Sequence, residues 1–301
     1  MPDAFELVDA IGEAGGRFPG HRAAHAKGVN LSGTFTPSVQ ARELTRAAHM
    51  QGDPVRTTVR FSNGGANPES NDAAVGDGRG MAVKFYLPDG STTDIVGLSL
   101  PVFFVRTPEE FLEFTLARAE SFEKVGEFIG SHPSTAAAAQ LIAPTLVPPR
   151  SYATVAYNSI HAFRLVDPDG NGRWIRWRWL PEAGVEMLPE DERESADPNF
   201  LQKEIFDRLP VRFTLVARLG EDGDTTDDPT VAWPEGREQV EMGTLEITGP
   251  ETQREKGDDV MVMDPTRVTD GIEPSDDPIL HIRSHAYSVS VERRSGAPRP
   301  A

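Results

Sequence analysis

Three short constellations carry side chains whose types could do chemistry. In Arg22-Ala-Ala-His25-Ala-Lys-Gly28 an imidazole stands just before a strand-like run, where it could project into a barrel or pocket and exchange protons near neutral pH. In Val59-Arg60-Phe61-Ser62 a guanidinium and a hydroxyl share one side of a strand, a pair able to hold a carboxylate and orient an imidazole. In Arg283-Ser-His-Ala-Tyr287 the spacing of four sets a guanidinium and a phenol on one helical face. A fixed cation favours the phenolate, which is a hard anionic ligand for ferric iron. Each fragment also has a plain reading: a structural histidine, a solvated strand face, an ordinary surface Arg–Tyr pair. Taken singly, none decides between the two.

The elements that must position these groups follow from periodicity. Apolar and polar residues alternate over 29–36, 57–62 and 81–87, the period of two expected of half-buried strands. Pro88-Asp89-Gly90 is turn chemistry leading to a strand at 93–97, and residues 101–106 read as one more short strand. Thr107, with Pro108 behind it and Glu109 and Glu110 in the first turn, starts a helix carrying Phe111 and Phe114. The Ala- and Pro-rich residues 131–150 predict a second helix. Strands return at 159–166 and 173–180 around Asp167-Pro-Asp-Gly-Asn-Gly, then at 212–219 and 239–248 around the acidic loop 221–228. Residues 1–20 read as an N-terminal arm with a short acidic helix over 5–13. The expected fold class is α+β: one domain over 1–301, an antiparallel sheet closed as a β-barrel with helices outside it.

Composition narrows the chemistry further. The 301 residues include 47 acidic and 30 basic side chains, a formal charge of −17 that repels phosphate backbones and anionic lipid, so no nucleic-acid partner is expected. No apolar run approaches the ~20 residues of a membrane span, and Met-Pro-Asp-Ala-Phe-Glu lacks the regions of a signal peptide, so the expected location is cytoplasmic. The absence of cysteine removes disulfides, thiolate nucleophiles and iron–sulfur clusters. Any redox chemistry must therefore be carried by a cofactor.

Set in order, the fragments resemble the haem catalases. His25-Ala-Lys-Gly28, Val59-Arg-Phe-Ser62, Asp77-Gly-Arg-Gly-Met-Ala-Val-Lys-Phe-Tyr86, Pro101-Val-Phe-Phe-Val-Arg106 and Arg283-x-x-x-Tyr287 follow one another at that family's approximate spacing, supported by 159–166, Asp264-Pro265 and 271–275. Five ordered motifs together are specific where each alone is not. The chain stops soon after the tyrosine motif, without the wrapping segment and C-terminal domain of large catalases, and so is similar to the small branch called catalase-related peroxidases.

The resemblance implies a catalase-like barrel and a haem, b-type being expected. It implies that His25 is the distal acid–base group and that Ser62 orients it. Tyr287 becomes the iron ligand and Arg283 the cation that keeps it ionised. Arg22, Arg60 and Arg294 would bind haem propionates, and Phe111 would stack over the porphyrin. Leu98 stands where catalases typically place a distal asparagine, and Ala24 and Gly64 where they commonly carry valine. The implied activity is reduction of hydrogen peroxide and organic hydroperoxides by a small organic donor, with weak catalase activity. A haem hydroperoxide isomerase and a non-catalytic haem or apolar-ligand binding barrel are the alternatives. A homodimer is compatible with this reading.

Overall fold

Strand alternation gives each ribbon two faces, and here both are used: one fills a barrel and the other carries a cavity. The computed structural model describes residues 1–255 and 260–295. In chain order come α1 (Ala4–Gly15), β1 (Gly28–Pro37), α2 (Ala41–Leu44), β2 (Val55–Asn63), β3 (Arg79–Tyr86), β4 (Thr92–Leu98), α3 (Pro108–Glu120), α4 (Phe122–Ser131) and α5 (Pro133–Ile142). They are followed by β5 (Tyr157–Asn158), β6 (Phe163–Val166), β7 (Gly172–Pro181), α6 (Glu190–Arg193), α7 (Phe200–Arg208), β8 (Val211–Leu219), β9 (Gln239–Pro250), β10 (Ile272–Pro274) and α8 (Pro278–Ser295).

The sheet runs β7-β5-β4-β3-β2-β1-β9-β8, and β8 pairs back onto β7, so eight antiparallel strands close a barrel. Strands β6 and β10 extend it outside the ring through β7. Closure leaves none of the eight as an open edge. Leu31, Val59, Val83 and Ile95 lie side by side on four strands, all buried. Phe35, Phe61, Phe85, Tyr157, Trp179 and Phe213 meet from separate strands, Phe35 and Phe85 edge to face at 5.3 Å. These aromatic rings fill the interior, as side chains do in a barrel of this size. The barrel interior is therefore a packed core, and His25 lines the cavity on its outer face instead.

The other face is covered too, which is why β2 is buried at every position but Arg56. There Gly28, Ser62, Gly80, Leu98 and Asn158 stand in register across five strands. Helix α1 starts in a capping box of Asp3 with Glu6, and its Ala4 and Val8 pack on Val289 of α8. The N-terminal arm thus folds back onto the helix that bears Tyr287. Thr107 caps α3 through the Glu110 amide as expected.

Three expectations are corrected. Residues 101–106 form no strand: the Phe103 amide bonds the Pro229 carbonyl, and Phe103 and Phe104 pack on α3 instead of pairing in the sheet. The predicted helix over 131–150 is only α5 and a following 3-10 turn, Ala143–Leu146, and α4 precedes it unanticipated. Pro144 has no amide hydrogen with which to continue the helix. The strand expected over 159–166 begins only at Phe163, because Ser159 Oγ takes the Trp177 amide and bends the chain between β5 and β6.

Candidate active site

A cavity of about 810 Å³, its mouth included, lies between the outer face of the barrel and α8. Arg60 and Ser62 of β2, Gly80 and Ala82 of β3, and Val96 and Leu98 of β4 form one wall. Arg283, Ala286, Tyr287, Ser290 and Arg294 of α8 form the opposite one, and Val8 and Ile11 of α1 close a side. Arg283 and Tyr287 share one face of α8, as their spacing of four requires, and so do Ser290 and Arg294.

His25 is held on the barrel wall by its backbone and its ring together. Its φ of 54° lies in the left-handed region, uncommon for a residue with a Cβ. The conformation persists because the His25 amide donates to the Gly64 carbonyl at 3.1 Å, while its own carbonyl accepts Arg60 Nη2 at 2.8 Å. The ring then meets Ser62 Oγ through Nδ1 at 3.0 Å, leaving Nε2 for a molecule in the cavity. Burial, reinforced by Arg60, Arg283 and Arg22, pushes its pKa down to about 3, so the imidazole is a free base at neutral pH. Gly80 sits directly beneath: a Cβ there would come within 2.8 Å of Ser62 Oγ and 2.9 Å of His25 Nδ1. Only a glycine leaves space for both side chains.

On the helix wall, Arg283 donates to the Tyr287 phenol oxygen from Nε at 3.0 Å and from Nη2 at 2.5 Å. Two donors thus converge on one phenol oxygen. Arg283 Nη1 in turn meets His161 Nε2 at 3.0 Å, and His161 Nδ1 meets Asp277 at 2.6 Å. Burial pushes the His161 pKa down to about 4 against the pull of Asp277, so at neutral pH the ring donates from Nδ1 and accepts from Arg283 at Nε2. The other Asp277 oxygen accepts the Ile279 amide at 2.8 Å and caps α8. Helix start, buried carboxylate, imidazole, guanidinium and phenol form one chain of contacts. His161 and Asp277 were not among the expected site residues: they lie 116 residues apart, and no local spacing links them.

At the rim, Arg22, Arg60 and Arg294 converge on the Glu255 carboxylate. Three cations face one anion. Burial, reinforced by Arg22, lowers Arg60 to about 9 and Arg294 to about 10. Their Nε atoms are buried without a hydrogen-bond partner, although both lie within ion-pair range of Glu255. Such a cradle is suited to further anionic oxygens.

The structure thus gathers His25, Ser62, Arg22, Arg60, Arg283, Tyr287 and Arg294 around one cavity. Phe111 does not join them. Its ring stacks on Phe103, 6.2 Å between centroids, in the aromatic cluster where α3 meets the 101–106 strap, and it is not on the cavity wall. A second cavity, lined in part by Arg176, Arg178, Arg218 and Trp233, contains none of the expected site residues. Among the described residues there is no cluster of His, Cys, Asp and Glu suited to a bare metal ion, and no helix long and apolar enough to cross a membrane.

Comparison with known proteins agrees with this geometry. The catalase family profile matches residues 16–299. A catalase-related peroxidase of Mycolicibacterium paratuberculosis is 43% identical over 302 residues, covering 98% of this chain and 96% of the relative. One from Synechococcus elongatus is 34% identical over 300 residues, covering 96% and 88%. The crystal structure of a fungal catalase superposes with a TM-score of 0.81 at 23% identity, over 93% of this chain and 60% of the other, a likeness of fold. With a profile spanning nearly the whole chain and relatives matched along almost their full length, this chain belongs to the catalase family.

Proposed function

We propose that this chain is a haem-dependent peroxidase that reduces hydrogen peroxide and organic hydroperoxides with a small organic donor, and that its catalase activity is weak. One observation carries the reading: the His25–Ser62 pair and the Arg283–Tyr287 pair face the same cavity from opposite walls, with three arginines at its rim. The residues fit a haem. Tyr287 would offer its phenol oxygen to the iron, and the unpartnered Nε atoms of Arg60 and Arg294 would offer donors to propionates. When bound, haem supplies the redox chemistry that the side chains lack.

The chain's own contribution is proton transfer and placement. His25, a free base fixed by Ser62, takes the proton from the peroxide oxygen at Nε2 and returns it to the leaving oxygen, which departs as water or alcohol. Arg283 fixes the Tyr287 oxygen with two hydrogen bonds. A bound ligand with no chemistry would need neither pair. An isomerase would consume a lipid hydroperoxide with no donor present, whereas a peroxidase requires one. The test is donor oxidation by the purified protein, driven by hydrogen peroxide or cumene hydroperoxide, together with its Soret spectrum. Haem b, a cytoplasmic location and a homodimer belong to the same proposal; pyridine haemochrome spectra, cell fractionation and sedimentation check them.

Leu98 lines the cavity beside Gly80, within the row that carries Ser62. An apolar side chain there leaves a small polar peroxide without a partner that an amide would supply, and a net hydrogen bond is worth ~0.5–1.5 kcal/mol. Leu98→Asn is expected to raise oxygen evolution from hydrogen peroxide about two- to tenfold, with less change in phenol oxidation driven by tert-butyl hydroperoxide. No gain in oxygen evolution would remove Leu98 as the cause of weak dismutation.

Gly80→Ala tests placement rather than chemistry. Its Cβ must push the imidazole or the Ser62 hydroxyl aside. The peroxide-driven Soret change is expected to slow roughly tenfold at unchanged haem content, since small displacements of a positioned group are costly. In a His25→Ala background the same substitution should add nothing; a further loss there would show that Gly80 does not act through His25.

A further inference from the structure

The donors of the rim cradle are already directed at one carboxylate. Each of the three guanidiniums gives its Nη2 to backbone: Arg60 to the His25 carbonyl at 2.8 Å, and Arg22 and Arg294 to the Met261 carbonyl at 2.9 and 3.2 Å. Those bonds fix the guanidinium planes and turn the Nε edges inward. What the edges meet is Glu255. Arg22 Nε lies 3.0 Å from one of its oxygens, Arg294 Nε 3.3 Å from the same oxygen, and Arg60 Nε 3.8 Å from the other. Arg22 also donates from Nη2 at 3.1 Å. The grip is uneven, because Arg60 Nε, Arg294 Nε and the Glu255 oxygen that lies nearest Arg294 have charge nearby but no hydrogen bond of good geometry. Glu255 keeps 24% of its side-chain surface exposed, so a path to water is open to it.

We propose that Glu255 is an internal competitor for the carboxylates of the porphyrin: hydrogen-bonded to Arg22 and ion-paired with Arg60 and Arg294, it stands against their Nε edges and must give way for the haem propionates to bind. The inference rests on the haem reading above and adds a residue that opposes cofactor binding. The charges favour the exchange. Three arginines against one glutamate leave a formal charge of two, whereas against two propionates they leave one, so the exchange brings the cradle closer to neutrality. Glu255 can then turn outward into solvent. Its presence weakens and slows haem uptake.

The test uses the full chain freed of haem and titrated with haemin, followed by Soret absorbance and by the rate of haem transfer to apomyoglobin. Glu255→Gln keeps the size of the side chain and removes its charge. It is expected to bind haemin faster and to hold it about tenfold or more tightly than wild type, the scale of hydrogen bonds to charged groups. Glu251→Gln, which makes the same charge change at the Arg56 ion pair away from the cradle, is expected to leave both values unchanged. Glu255→Ala gives the same reading should the glutamine variant fold poorly, and haem dimethyl ester, which has no propionate charge, is expected to bind wild type and variant alike. Wild type that forms no stoichiometric Soret band would overturn the haem reading itself. Wild type that binds normally while Glu255→Gln binds no better, or worse, would overturn this proposal alone, and so would an equal gain in Glu251→Gln.

Discussion

Tyr287→Phe is expected to purify with haem occupancy lowered on the order of tenfold or more, and with an altered spectrum in the fraction that remains. On the proposed reading the phenol oxygen is the ligand that the helix wall would offer to iron, and it is held from behind. Arg283 directs two N–H groups at it, His161 holds Arg283, and Asp277 holds His161 while capping the helix on which both Arg283 and Tyr287 ride. A phenylalanine removes the ligand and also leaves two guanidinium donors without an acceptor. An unsatisfied buried group costs ~1–3 kcal/mol, more when charged. The variant should therefore also unfold at a lower temperature than wild type when both are haem-free. Occupancy is read as Soret absorbance per chain after reconstitution with equimolar haemin. A variant with full occupancy and an unchanged spectrum would release Tyr287 from the ligand role.

Much of this site is legible in the sequence, and the residues show why. His25, Ser62, Arg283 and Tyr287 belong to compact motifs in which the chemistry lies within a few residues, so order along the chain identifies them. The hairpins were legible for a similar reason: Asp89 accepts the Ser91 amide and Asp167 accepts those of Asp169 and Asn171, turn contacts that these residue types announce locally. What escaped depends on distance or register. His161 and Asp277 are joined only by the closed fold. Gly80 matters because strand pairing sets it opposite Ser62, and no sequence pattern states that register. Alternation placed Arg60 and Ser62 on one side of β2 but could not tell inside from outside, because both faces of that strand are buried. The surroundings of Phe111 escaped by the same limit. A helix pattern identifies its apolar positions, but the neighbour that takes them, here Phe103, comes from a strap that read as a strand.

His25→Ala is expected to slow the peroxide-driven Soret change by ~10²–10⁴-fold at matched haem content, the usual contribution of a positioned acid–base group. Its pH behaviour sharpens the test. Burial, reinforced by Arg60, holds the His25 pKa at about 3, so the imidazole is ready to accept a proton at every pH from 8 down to about 4. The wild-type rate should be flat across that window rather than falling near 6.5, where a solvated imidazole would become protonated. The same depressed value makes an opposite mark on stability. An unfolded His25 binds its proton near 6.5 and the folded one near 3, so the contribution is fully present above 6.5 and is lost as the pH falls from there through about 3. Because the backbone at His25 is left-handed, alanine carries its own strain, and His25→Asn, a residue that tolerates that region, separates strain from chemistry. Both variants should lose the fast reaction with peroxide while keeping haem, since Tyr287 and the rim arginines are untouched. If His25→Asn reacts as fast as wild type, or if the wild-type rate falls with an apparent pKa near 6.5, His25 is not the group that moves the proton.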